Sequence, residues 1–196
     1  KNVSEERRRG ILKKYKLPKR FFVYVGVLER RKNIDGLIKI ADLLKEKTSV
    51  PIVLFGSARR GRRYLNEFDR RGNIFYRGFI EDADLVDVYN LATAFVFPSL
   101  YEGFGLPVLE AMKSGLPVVA SNSSSLPEVV GDAAPTCSPE DYECFSNNLL
   151  ELSGKRDLWD QYKNAGLKQA ARFSWKGVTA ETVSLFNSVN KHNSNN

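Results

Sequence analysis

The chain has 196 residues, 42% of them hydrophobic and 27% charged, with a formal net charge of +7. That is enough apolar material for one packed domain, which excludes disorder over most of the length, and no apolar run approaches the ~20 residues a membrane-spanning helix needs. One histidine, His192, and two cysteines, Cys137 and Cys144, are too few for His- or Cys-based metal chemistry, a disulfide framework, or a Ser/His or Cys/His catalytic pair.

Residues 1–20 form a basic lead-in, read as an interdomain segment. The chain opens at Lys1 without a methionine or the apolar stretch of a secretory signal, as a part of something longer would. Charge is distributed locally: 12 basic and 3 acidic residues over 1–32, 7 and 2 over 59–77, and 1 and 12 over 78–153. The second group includes Arg59, Arg60, Arg62, Arg63, Arg70 and Arg71. No continuous basic stripe runs along the chain, so nucleic acid is not an expected partner. Solvated helix faces are the plain reading, with an anionic ligand or a peripheral anionic membrane surface as the alternatives.

Apolar and β-branched runs predict strands at 21–26, 51–56, 73–77, 94–98 and 117–121. Amphipathic patterns between them predict helices at 33–47, 65–70, 82–91 and 106–114. Strand and helix alternate, and right-handed crossovers then give an α/β fold, a Rossmann-like doubly wound parallel sheet. From 139 only helices follow, at 139–152, 157–171 and 175–189. One domain over 21–189 is expected, with a polar, frayed tail at 190–196. Trp159 and Trp175 are read as core or interdomain packing, and Cys137 and Cys144 as buried or incidental.

Chemistry concentrates in SLYEGFGLPVLEAM, residues 99–112, which joins a buried strand to a helix. Gly103 and Gly105 let the backbone bend or approach a ligand, and Pro107 suits a first helical turn. Free N–H groups of Phe104, Gly105 and Leu106, with the positive end of the helix, suit phosphate oxygens. Alone, such a turn is only a tight connection. Two carboxylates, Glu102 and Glu110, bracket it, and ionised carboxylates suit neutral hydroxyls rather than phosphate. The implied ligand carries both phosphate and hydroxyls, as a nucleoside diphosphate sugar does. Asp82 and Asp84 have the spacing of a metal-binding D-x-D but open a helical pattern, so they are read as N-terminal charge, and no metal is assigned. Glu128 is read as helix-start charge. A glycosidase acid/base pair is the weaker reading of Glu102 and Glu110, because the glycine turn and nearby cations suit a phosphate leaving group better.

This segment resembles the signature of two glutamates eight positions apart in retaining glycosyltransferases of GT-B architecture, family four. YVGVLERRKN at 24–33 is similar to the family's first strand and basic turn. FGS at 55–57, RGF at 77–79, VFPS at 96–99, GLPVVAS at 115–121 and RFSW at 172–175 match its later strand ends and closing helix. The resemblance covers about 20–190 and implies the GT-B C-terminal domain, which binds the donor. It implies that Glu110 accepts from ribose hydroxyls, that Glu102 holds a donor-sugar hydroxyl, and that the amides of Gly103, Phe104, Gly105 and Leu106 contact sugar and distal phosphate. Lys32 and Arg31 would neutralise the diphosphate, Gly26 and Gly56 would line the donor cleft, and Gly78, Phe79 and Ile80 would lie beside the base. Many members carry arginine after the first-strand glycine; Val27 stands there here, and Arg31 is the substitute.

The resemblance implies transfer of a hexose, with mannose favoured by the 26–33 turn and the FSW ending. It implies no cofactor beyond the nucleoside diphosphate sugar as substrate, an acceptor held by a missing N-terminal domain, and little turnover by this chain alone. A cytoplasmic location, or one peripheral to a membrane on its cytoplasmic face, accompanies that reading. The alternative is a noncatalytic nucleotide- or polyanion-binding module that keeps the fold.

Overall fold

The structure, a computed structural model, describes residues 3–59 and 61–193. Its centre is a sheet of six parallel strands, β1 (Phe22–Val25), β2 (Ile52–Phe55), β3 (Ile74–Tyr76), β4 (Ala94–Phe97), β5 (Val118–Ser121) and β6 (Thr136–Cys137). They lie in the order β3-β2-β1-β4-β5-β6. The register pairs Phe22 with Ile52 on one side and Ala94 on the other. The Rossmann-like doubly wound sheet expected from the alternation is therefore the fold. β1, β2, β4 and β5 are buried almost throughout, as uninterrupted Val, Ile and Phe runs require when helices cover both faces.

The helices are α1 (Glu5–Lys14), α2 (Ile34–Lys45), α3 (Arg63–Arg71), α4 (Asp82–Leu91), α5 (Leu106–Lys113), α6 (Leu126–Val130), α7 (Tyr142–Gly154), α8 (Arg156–Ala170) and α9 (Trp175–Asn193). α2 packs on α7 and α3 over one face of the sheet; α5 packs on α8 and α1 on α4 over the other. The chain changes face after β3, so sheet growth reverses between β1 and β4. Loops leaving the carboxyl ends of those two strands diverge there and leave a crevice. α9 runs through Asn193, so much of the expected frayed tail is helical; 194–196 and Arg60 lie outside the described residues.

Three features differ from the sequence reading. The basic lead-in contains α1, capped by the Ser4 hydroxyl, and α1 sends Ile11 into the core, with Tyr15 following at its C-cap. Its anchor is Asp84, 3% exposed, whose carboxylate accepts from Arg7 (2.6 Å), Lys14 (2.6 Å) and the Tyr15 hydroxyl (2.7 Å). Asp84 thus joins two helices rather than only charging a helix start, a partnership 70 residues apart that local patterning does not record. Secondly, Cys137 and Cys144 form a disulfide from β6 to α7. They are not incidental: the return from β6 into α7 brings the two side chains together. Thirdly, α7 starts at Tyr142 with Asp141 capping the Cys144 amide (3.0 Å), and Pro139 remains in the loop. Trp159 is half-buried and donates to the Thr93 carbonyl (2.7 Å), whereas Trp175 is 78% exposed and outside this domain's core.

Lys14, Tyr15 and Arg7 hold the Asp84 carboxyl below the usual aspartate range. Its folded value lies below its unfolded one, so its stabilisation is complete above the unfolded value of ~3.9 and is lost as pH falls through the lower folded value. Asp84→Ala leaves the buried Tyr15 hydroxyl without its acceptor and is expected to cost about 2 kcal/mol in urea unfolding at neutral pH, with less loss in acid. An unchanged urea midpoint would contradict the anchoring role of Asp84.

Candidate functional site

The loops after β1 and β4 meet through their backbones before their side chains act. The Leu100 amide donates to the Arg31 carbonyl at 2.8 Å, and the Ser99 hydroxyl oxygen lies 3.1 Å from the same carbonyl. Asn33, in left-handed conformation with φ 56°, caps α2 by accepting from the Gly36 amide (3.1 Å). Its Nδ2 donates to the carbonyls of Pro98 (2.9 Å) and Pro139 (2.8 Å). One asparagine therefore fixes the start of α2, the end of β4 and the loop before α7.

Between these loops lies a buried ion pair. Lys32 is 6% and Glu102 7% exposed, and Lys32 Nζ donates to Glu102 Oε1 at 2.6 Å. Ser99 donates to the same oxygen (2.5 Å), and Lys32 also lies 4.8 Å from the centroid of the Phe97 ring. Arg31 Nη1 stands 3.6 Å from Glu102 Oε2 and is half-exposed, so its guanidinium faces the crevice mouth while also touching Glu29. Withdrawing two charges from water costs several kcal/mol per ion unless geometry and added hydrogen bonds compensate, and Ser99 supplies one such bond. The expected trio Lys32, Arg31 and Glu102 is brought together.

The glycine turn follows directly. Gly105 (φ 105°) sits at the N-cap of α5, and a Cβ there would come 2.6 Å from Leu126 Cδ2, so both conformation and space require glycine. No side chain caps this helix. The amides of Gly103, Phe104, Gly105 and Leu106 find no acceptor among the described residues. Serines of the loop after β5 brace the turn from behind. The Ser124 hydroxyl accepts from the Glu102 amide (2.8 Å), and the Ser125 hydroxyl donates to the Phe104 carbonyl (2.9 Å) with the Glu102 carbonyl 3.1 Å away. The Phe104 ring packs edge-on against Phe173, 5.8 Å between centroids.

Glu110 lies one turn into α5 and receives the Tyr89 hydroxyl at 3.3 Å. The residue is largely exposed, yet protein around its carboxyl raises it above the usual carboxylate range; Tyr89 opposes that and Asp82 adds to it. Gly26, Gly56 and Gly78 end β1, β2 and the β3 side of the sheet. Gly26 donates to the Phe55 carbonyl (2.9 Å) and Gly56 to the Gly78 carbonyl (2.8 Å). A Cβ on Gly56, at φ 132°, would fall 2.1 Å from the Gly26 carbonyl oxygen. Phe79 is 77% exposed, while the Ile80 side chain is buried. No hydrogen bond links 78–80 to the glycine turn. β3 and β4 stand three strand spacings apart, about 14 Å, a span fit for an extended nucleotide.

Ser99, Asn33, Tyr89 and Ser123 to Ser125 are site residues that the sequence reading missed. The serine run after β5 held the only signal: in a parallel sheet, loops after neighbouring strands lie side by side. Among the described residues no cluster of three or more His, Cys, Asp or Glu side chains could hold a metal ion.

Comparison with known proteins finds the family model of glycosyl transferases group 1 matching residues 6–169. An O-antigen chain mannosyltransferase B of Escherichia coli is 42% identical over 184 residues, 90% of this chain and 48% of the relative. The chain spans about half or less of the curated relatives it matches. Among solved structures, a glycosyltransferase of Rickettsia africae superposes with a TM-score of 0.82 at 17% identity, over 97% of this chain and 53% of its own. The C-terminal domain of a glycosyl transferase group 1 family protein from Francisella tularensis superposes with a TM-score of 0.71 at 23% identity. That match covers 87% of this chain and 94% of the other, a domain crystallised by itself.

The pair geometry has a direct consequence. Lys32→Met leaves Glu102 buried without its cation and is expected to cost about 3 kcal/mol, whereas Lys32→Met with Glu102→Gln is expected to cost clearly less than the summed single changes. Denaturant unfolding of the four proteins checks this; additive losses would mean the two charges are not coupled.

Proposed function

The chain belongs to the glycosyl transferases group 1 family, and on that premise we propose that it is the donor-binding half of a retaining GT-B hexosyltransferase using a nucleoside diphosphate sugar. One observation carries the reading: a glycine turn with four unused amides stands beside a buried Lys32–Glu102 pair at the point where sheet order reverses. The amides and the α5 N-terminus suit the distal phosphate, Arg31 and Lys32 supply positive charge, and Glu102 Oε2 would accept from a sugar hydroxyl. Glu110 is exposed enough to accept from ribose hydroxyls, and 78–80 would offer backbone groups to the base.

In the proposed transfer the bond from the anomeric carbon to the diphosphate oxygen breaks, and its electron pair stays on the phosphate. The acceptor hydroxyl oxygen bonds to that carbon on the same face and gives its proton to the leaving phosphate. No side-chain nucleophile is needed. Fixed N–H groups and cations act where charge develops, a contribution of about 10²–10³ per well-aimed donor. Charge stabilisation in this proposal comes from these groups without a metal. Mannose is the favoured sugar, supported by the mannosyltransferase names of the curated relatives. The acceptor falls to the other half of the protein. α9 supports that half's presence: Trp175, Val178, Leu185 and Phe186 recur at helical spacing and are 55–78% exposed, an apolar face for a neighbouring domain. Among the described residues no helix is long and apolar enough to cross a membrane; the proposal places the protein in the cytoplasm or at its membrane surface.

Glu110→Gln is expected to weaken nucleoside diphosphate binding about tenfold by calorimetry with little change in stability, since it removes a charge-assisted acceptor at an exposed position. Because the ionised carboxylate is the acceptor and burial raises its titration, wild-type affinity should fall with acidification at a pH above the ordinary glutamate range of ~4.3. The same affinity and pH profile in Glu110→Gln would remove the ribose role. The chain alone is expected to bind donor without transferring sugar; turnover surviving repurification would contradict the assignment of the acceptor to the other half.

A further inference from the structure

A second cavity, of about 670 Å³, opens between α1, α4, α5 and α8. It lies at the carboxyl ends of α4 and α5, which lead into β4 and β5, and so on the sheet edge opposite the glycine turn. The eight residues of α5 separate the two places by about 12 Å along its axis.

Three cations from three elements line this cavity: Arg8 of α1, Lys113 of α5 and Lys163 of α8, and no carboxylate does. Asp87 and Asp160 are paired with Arg7 and Arg156, and Glu110 accepts from the hydroxyl of Tyr89, which also lines the cavity. Lys113 has a structural task, since it complements the carbonyl end of α5 and donates to the Phe173 carbonyl (3.0 Å). Arg8 has no side-chain partner among the described residues, and Lys163 has only the Trp159 ring, 5.3 Å away. Val86, Leu91 and Leu167 supply apolar wall beside polar Asn90 and Ser114, with Gly115 opening space beside Lys163 and Leu167. Trp159 does not present a free stacking face to a sugar or base, because Arg156 and Lys163 both lie over its ring and its N–H is bonded to Thr93.

Three like charges gathered in one recess repel one another, and an anion entering it relieves that repulsion. Apolar walls beside the charges suit a ligand that joins an anion to a hydrocarbon portion. We propose that this cavity is a second binding site, one for the phosphate of an anionic amphiphile, with the phosphate among Arg8, Lys113 and Lys163 and the hydrocarbon on Val86, Leu91 and Leu167. Tyr89 lies between this cavity and Glu110 of the donor crevice, and the proposal does not rest on donor binding.

Hexyl phosphate, inorganic phosphate, and vesicles of phosphatidylcholine with and without phosphatidylglycerol test it. Saturable binding of hexyl phosphate is expected, at least about tenfold tighter than inorganic phosphate because of the buried hydrocarbon. Vesicle binding that needs phosphatidylglycerol would assign the phosphate to a bilayer headgroup; hexyl phosphate binding without vesicle binding would assign it to a soluble ester. The double variant R8E/K163E should lose about thirtyfold in affinity, while the charge-matched K47E/R70E, in the turn after α2 and on α3, should stay within about twofold. Should R8E/K163E fail to fold, V86D at the exposed wall places a repelling charge at the mouth and should weaken hexyl phosphate in the same way. The proposal is overturned by equal losses in the two double variants, by inorganic phosphate binding as tightly as hexyl phosphate, or by no saturable binding of hexyl phosphate or anionic vesicles.

Discussion

The Lys32–Glu102 pair is the constraint around which the upper edge of this sheet is built. Each charge sits more than nine-tenths buried, so each needs the other and neither loop can move away alone. The pair is possible because β1 and β4 are neighbours in the sheet although about 70 residues apart in sequence. Their following loops leave toward opposite faces, and the ion pair spans the gap. The backbone bond from Leu100 to Arg31 and the side-chain bond from Asn33 to Pro98 hold the distance that lets Nζ reach Oε1. A glycine turn beginning one residue after a fixed glutamate is itself fixed, which is what a row of amides needs if it is to meet an anion without reorganising.

Much of this was legible from local pattern. Strands β1 to β5 announce themselves as short apolar runs, because strands buried on both faces have no polar side to show. The glycines and glutamates of the turn were equally visible, since backbone conformation and carboxylate spacing are local properties. What stayed hidden depends on partners far away in sequence. α1 looks like a charged lead-in because its anchoring acid, Asp84, belongs to α4. β6 has two residues, too few for any periodicity. Ser99 and Asn33 carry no local mark of their roles, and the Cys137–Cys144 bridge depends on how β6 returns into α7. The roles given to Lys32, Arg31, Glu102 and Glu110 came from family resemblance; the structure brings the first three together in space, and their work on a donor is the proposal made above.

The chain spans about half or less of the curated relatives it matches, yet its core is complete. Phe95, Val96 and Phe97 of β4 are fully buried between two helical layers, so the sheet is covered within this chain. Most of the large apolar side chains it leaves exposed lie on α9 and in or beside the turn. Phe173, just before α9, rests on Phe104 of the glycine turn. The start of α9 is thus one aromatic contact away from the glycine turn.

The most direct test of the central claim is amide NMR of the chain titrated with nucleoside diphosphates and their hexose conjugates at low and high salt. The account predicts saturable shifts of Gly103, Phe104, Gly105 and Leu106 together with residues 31–32 and 78–80, selective for one base and little altered by salt. Shifts confined to the basic surfaces and abolished by salt, with the glycine-turn amides unmoved, would contradict it.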